Sequence, residues 1–154
     1  MASQSDHIAL ANKNHEALVY LIEDHSRFPE WIATIAFYKA VQVVEAVFDA
    51  NMRVHSTSHQ MRLQTLKTPR FQRIFRAYRP LLAASRIARY LEDHGPGGAG
   101  RFRTFTDHLT PDQVFDQLVY KRLYAVEQQS LTFLSDACKE ALLKIVPPPR
   151  GSSE

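Results

Sequence analysis

The first 94 residues contain no glycine; the five glycines are Gly95, Gly97, Gly98, Gly100 and Gly151. No Asn-Gly or Asp-Gly pair occurs anywhere in the 154 residues, so the tight-hairpin signal is missing. One cysteine, Cys138, excludes an internal disulfide and any cysteine-rich zinc site. No window holds 18 consecutive apolar residues, and the N-terminus lacks a basic stretch followed by an apolar one. The expectation is a protein with no membrane span, in the cytoplasm. There is no Walker loop, no Gly-x-Ser-x-Gly and no His-Glu-x-x-His. His55 and His59 stand at i, i+4 without an obvious third ligand, and His7 and His15 read as packing or surface residues. No metal and no cofactor are therefore expected.

Acidic residues are scarce in one region. Between Arg53 and Arg103 eleven arginines and lysines face only Glu92 and Asp93, a local balance of +9. The first 52 residues sum to −4 and residues 104–154 to −2, so the net charge of +3 conceals a polarised chain. A block of one sign attracts polyanions over about 8 Å at physiological salt. Ordinary solvated faces mix signs; this one favours an anionic partner, whether RNA, a nucleotide or an acidic protein surface.

What is present reads as helix. Ile8, Ala11, His15, Leu18 and Ile22 recur at helical spacing, which predicts a first helix over Asp6–His25 with Ser5 as its cap. Pro29 suits the first position of a second helix running to about Arg53. That helix is apolar on more than one side, with Lys39, Gln42, Glu45 and Asp49 as a narrow polar stripe, so it is central or covered by a partner. Ser58 or His59 starts a short helix over about Gln60–Lys67. Thr68-Pro69 restarts the chain, and a stripe of Phe71, Phe75, Tyr78, Leu82, Ser85 and Arg89 carries a helix to about Asp93, kinked or split at Pro80. Gly95–Gly100 is a loop. Thr110-Pro111-Asp112 is a strong start signal, and the lack of glycine or proline as far as Ile145 predicts one long helix of ~50 Å. Trp31, Tyr38, Phe75 and Phe133 are expected in the core. The fold class is all-α, an up-and-down bundle of four to five helices in a single domain over 1–146, with a disordered Pro-rich tail over 147–154.

Several stretches together resemble the HEPN family (higher eukaryote and prokaryote nucleotide-binding): Pro29-Glu30-Trp31, Ala36-Phe37-Tyr38-Lys39-Ala40-Val41, Glu45-Ala46-Val47-Phe48, the turn with Ser58-His59, then Tyr78, Leu81 and Leu82 leading into Ser85-Arg86 and Ala88-Arg89-Tyr90. The resemblance spans roughly Asn12 to Ala137. It implies a helical bundle that forms a homodimer. Many such proteins are metal-independent endoribonucleases of toxin–antitoxin, defence and stress systems. Others are non-catalytic RNA-binding, nucleotide-binding or scaffold subunits, with a cognate antitoxin or nucleotidyltransferase as partner.

Active members carry Arg-x4–6-His. Two places match: Arg103 with His108, which Arg101 also reaches, and Arg53 with His59. Metal-free cleavage of RNA asks a near-neutral histidine to move the 2′-OH proton and an arginine fork to hold the phosphorane charge. Active members have Asn, Asp or His directly after the arginine; Thr104 and Val54 stand there instead. Each residue also has a plain structural reading. His59 serves the start of a helix after Ser58, Arg53 ends the second helix, and His108 packs against the start of the last one. Arg62, Arg73, Arg76, Arg79 and Arg86 are the expected RNA-binding cations, with Phe102, Phe105, Tyr78 and Tyr90 as stacking surfaces. A third reading is a structural helical protein whose basic block meets an acidic partner.

Overall fold

The structure, a computed structural model, describes residues 2–90 and 104–149. It is all-helical, with no strand among the described residues. Helix α1 spans Gln4–Ile22. Its cap is Ser3 rather than Ser5, because Asp6 lies three residues beyond Ser3. The Ser3 hydroxyl accepts from the Asp6 N–H at 3.2 Å, and the Ser3 N–H donates to the Asp6 carboxylate at 2.9 Å. The helix ends before the expected His25, in i→i+3 turns through Arg27. His25 instead meets the segment after Thr110, stacking on Phe115 at 4.6 Å and approaching Asp112 at 2.9 Å.

Helix α2, Pro29–Met52, begins with proline as expected and ends at Arg53, whose φ of 52° is left-handed. Glycine usually takes this place, since a Cβ there is strained. By length and composition α2 is apolar enough to cross a membrane, but 78% of its apolar window is buried inside the bundle. It packs most extensively on α1. Its polar stripe is not a solvent-facing edge. Lys39 and Glu45 are buried, and Gln42 and Asp49 both bond to α1.

Helix α3 is His59–Leu66, and Ser58 caps it by accepting the Met61 N–H at 3.0 Å. A 3-10 turn, Pro69–Phe71, leads into α4, Gln72–Tyr90. Pro80 lies inside α4 without splitting it, so the phase of its arginines is preserved. The predicted single last helix is corrected. Residues 111–133, called α5 here, wind continuously through Pro111–Gln113, a π-helical stretch Val114–Leu123, Tyr124–Ser130 and a 3-10 turn Leu131–Phe133. That is ~35 Å rather than ~50 Å. In the π stretch the buried residues Val114, Leu118, Val119 and Leu123 recur every four to five positions, matching i→i+5 winding. Ser135 then caps a separate helix α6, Asp136–Ala141, with its hydroxyl accepting from Cys138 at 3.2 Å. The backbone leaves α6 extended at Leu142.

Buried apolar residues from Ile8 to Ile145 form one cluster around α2, including Phe37, Phe48, Phe71 and Tyr78. Of the four expected core aromatics, Tyr38, Phe75 and Phe133 are half-buried against this cluster. Trp31 is corrected: it is 57% exposed. It lies one heptad before Tyr38, on a stripe of α2 that faces a cleft rather than the core. The predicted loop Gly95–Gly100 lies outside the described residues, as does most of the tail 147–154.

Two buried clusters tie the bundle together. In the first, the fully buried Lys39 ammonium meets Glu127 at 2.6 Å, His15 Nδ1 at 2.8 Å and the Leu143 carbonyl at 2.7 Å. The other Glu127 oxygen accepts the Ile145 N–H at 2.7 Å. Burial pushes the Lys39 pKa down and the Glu127 pKa up, each opposed by the other's charge. Burial, then the Lys39 charge, lowers the His15 pKa to about 4. The second cluster, around Glu45, underlies the candidate site.

Candidate functional site

Glu45, on α2, is almost completely buried and organises the connection between α2 and α3. One of its oxygens accepts the Ser56 N–H at 3.0 Å; the other pairs with Arg62 Nε at 2.8 Å. Arg62, one turn into α3, is only 7% exposed. Its remaining reach goes to His59, with Nη1 2.8 Å from Nδ1. A guanidinium only donates, so His59 Nδ1 accepts and the ring proton of the neutral form sits on Nε2. Burial, then the charges of Arg62, Arg89 and Arg86, lower the His59 pKa. The ring lies against Phe37 at 5.6 Å. His59 is therefore a neutral imidazole that presents an N–H donor and lies within the field of three arginines. The Tyr78 hydroxyl is buried beside this group, close enough to Arg62 to feel its charge. Burial raises its pKa, which Arg62 opposes.

Arg86 and Arg89 come from the last turns of α4, and both are half-buried. Arg89 is held by the Ser85 carbonyl at 3.2 Å and the Tyr38 hydroxyl at 3.2 Å, and it lies over the rings of Tyr38 and Tyr90 at 5.7 and 5.2 Å. Stacking leaves a guanidinium plane fixed while its charge stays at the surface. Beside it opens a cleft of about 460 Å³ lined by Glu30, Trp31, Thr34, Tyr38, Ala88 and Arg89. From α2 the cleft offers an exposed indole, a phenol and a carboxylate, and from α4 a cation. Such a set can stack a planar base, hold a phosphate oxygen and accept from an exocyclic amino group.

The expected site residues are dispersed. Arg103 lies outside the described residues, and Arg101 with it. His108 follows the 3-10 turn Phe105–Asp107, half-buried, with its ring edge-on to Phe105 at 6.2 Å. Arg53 is exposed at the end of α2. The histidine it was matched with is bonded to Arg62 instead. Arg62, expected as an RNA-binding cation, has its fork committed internally to Glu45 and His59. Arg73, Arg76 and Arg79 are exposed on α4. Sequence reasoning missed the Trp31–Arg89 cleft, since Trp31 and Tyr38 read as core. The available signal was the seven-residue spacing of those two aromatics together with the Ser85-to-Arg89 turn.

Comparison of the chain with protein-family models, curated proteins and solved structures finds no match.

Proposed function

We propose that this chain is a HEPN-like protein that engages single-stranded RNA, with the phosphate backbone along α4 and one unstacked base in the cleft at Trp31, Tyr38 and Arg89. The observation that carries the reading is an exposed tryptophan from α2 and a stacked, half-buried arginine from α4 lining one cleft. An indole left 57% exposed loses hydrophobic stabilisation that a stacked base would restore. Arg73, Arg76 and Arg79 supply the long-range field, and His59 Nε2 supplies a donor for a phosphate oxygen.

The same geometry favours the non-catalytic form of this reading. Attack by the 2′-OH needs a base, and His59 has its acceptor nitrogen occupied by Arg62. Binding is tested by fluorescence polarisation with a labelled single-stranded RNA in EDTA. Arg89→Ala and Trp31→Ala should each weaken binding by about tenfold or more, as loss of one stacked base does. Arg73→Ala, Arg76→Ala and Arg79→Ala should each reduce the log–log salt slope by about 0.7. No binding at low salt, or binding indifferent to Trp31 and Arg89, refutes the reading. Gel analysis of the same mixtures tests cleavage. Scission abolished by His59→Ala or His108→Ala would replace the binding role with a ribonuclease role.

A further inference from the structure

Three potential metal ligands converge where α1, α2 and the connection after α2 meet. His7, Glu45 and His55 each place one ligand atom within 4.8 Å of the other two. His7 is distant in sequence from the other two, and nothing in the RNA reading uses His7 or His55. The two imidazoles are stacked, with centroids 5.4 Å apart and planes at 16°. His55 Nδ1 lies 3.7 Å from a Glu45 oxygen.

We propose that His7, Glu45 and His55 bind a divalent transition ion, with Zn2+ the best match, as a clamp between α1 and the α2–α3 connection. Two imidazoles and one carboxylate suit zinc; calcium and magnesium prefer an all-oxygen shell, and no thiolate is present to select a softer ion. With bonds of 2.0–2.2 Å, neighbouring ligand atoms around a tetrahedral ion sit ~3.3–3.5 Å apart. The 3.7 Å edge is close to that already. The wider separations, up to 4.8 Å, need a closure of about 1 Å and a turn of the stacked rings so that each plane contains the ion; most of this falls to His55, 40% exposed on a connection rather than a helix.

The supporting contacts are those a ligand set requires. Buried His7 directs Nδ1 to the side-chain oxygen of Gln42 at 2.8 Å. That bond puts the proton on Nδ1 and leaves the lone pair on the other ring nitrogen, as an outer partner does for a metal-bound histidine. Glu45 is held in place from behind by Ser56 and Arg62. A carboxylate has lone pairs enough for these donors and an ion together. The exposed His55 edge is the route of entry. Once bound, the ion would fix Glu45, which holds Arg62, which holds His59.

The test uses the full chain, stripped with EDTA and titrated with Zn2+ by calorimetry and with Co2+ by visible absorption. One equivalent should bind, with the intense Co2+ bands of a four-coordinate site. His55→Ala, a substitution at an exposed residue of the connection, should lower affinity at least tenfold. Gln42→Met should lower it 10- to 100-fold by releasing the His7 ring. Circular dichroism verifies that each variant folds. His59→Ala should retain full affinity. Absence of stoichiometric binding overturns the proposal, as does affinity unchanged in both His55→Ala and Gln42→Met, or lost in His59→Ala alone. No RNA enters this test, so its failure leaves the RNA reading standing.

Discussion

Replacing Lys39 with methionine is the severest test of the packing described. The substitution keeps an unbranched chain one atom shorter and removes its charge. Glu127 is then left as a buried carboxylate without its counter-ion, and His15 Nδ1 and the Leu143 carbonyl lose their donor. Breaking a buried pair from one side costs about 3–5 kcal/mol, because the surviving charge has no solvent to return to. Against a total stability of ~5–15 kcal/mol this is roughly a fifth at the least and most of it at the worst. With a urea dependence near 2 kcal/mol per molar, the unfolding midpoint should fall by about 1.5–2.5 M. The double variant Lys39→Met/Glu127→Gln should recover most of that loss, since the amide oxygen still accepts from Ile145 and no buried charge remains. A single-variant loss below ~1 kcal/mol, the level of solvated pairs, would refute the buried-pair reasoning. So would a double variant no better than the single one.

Three further outcomes are expected. The folded-state pKa of His15 is about 4, below its ordinary value, so the unfolded chain binds more protons between the two. Stability should therefore decline as pH falls from about 6.5 toward 4; His15→Gln should flatten part of that slope in urea titrations at stepped pH. Arg53→Gly should raise stability by about 1 kcal/mol, because glycine takes the left-handed conformation without a Cβ penalty; an unchanged urea midpoint would count against strain at that residue. Phe37→Ala should cost about 3–5 kcal/mol by thermal or urea unfolding, while Trp31→Ala should cost under ~1, reversing the order that hydrophobicity alone gives.

The starts of α2, α3 and α4 were legible because local chemistry sets them. Pro29, Ser58 and Pro69 act within a turn of where they stand. The end of α5 was not legible, because no breaker marks it. Leu134 and Ser135 leave the helix where the Ser135 N–H finds Gln4 at 2.8 Å, a partner 131 residues away. The polar stripe of α2 was visible, but not its role. Lys39 and Glu45 look like solvent-facing residues until Glu127 and Arg62 are placed opposite them. The basic block was likewise legible as a field. Which of its arginines is committed inside the protein depends on Glu45, seventeen positions before Arg62. His7 beside His55 needed the docking of α1 on α2, which no spacing within either segment encodes.

The anchoring of Lys39 also constrains the order in which the protein can be made. The carbonyl it donates to belongs to Leu143, 104 residues further along, and its counter-ion Glu127 comes only a little sooner. At roughly 5–20 residues per second, a ribosome needs about 5–20 s after Lys39 to produce Leu143. Until Glu127 is made, the most apolar of the described helices carries an ammonium with nothing to neutralise it in the interior, and until Leu143 follows its donor set stays incomplete. A nascent chain should thus hold α1 and α2 loosely packed and open to chaperones. It should close into the finished bundle only when the segment around Leu143 emerges.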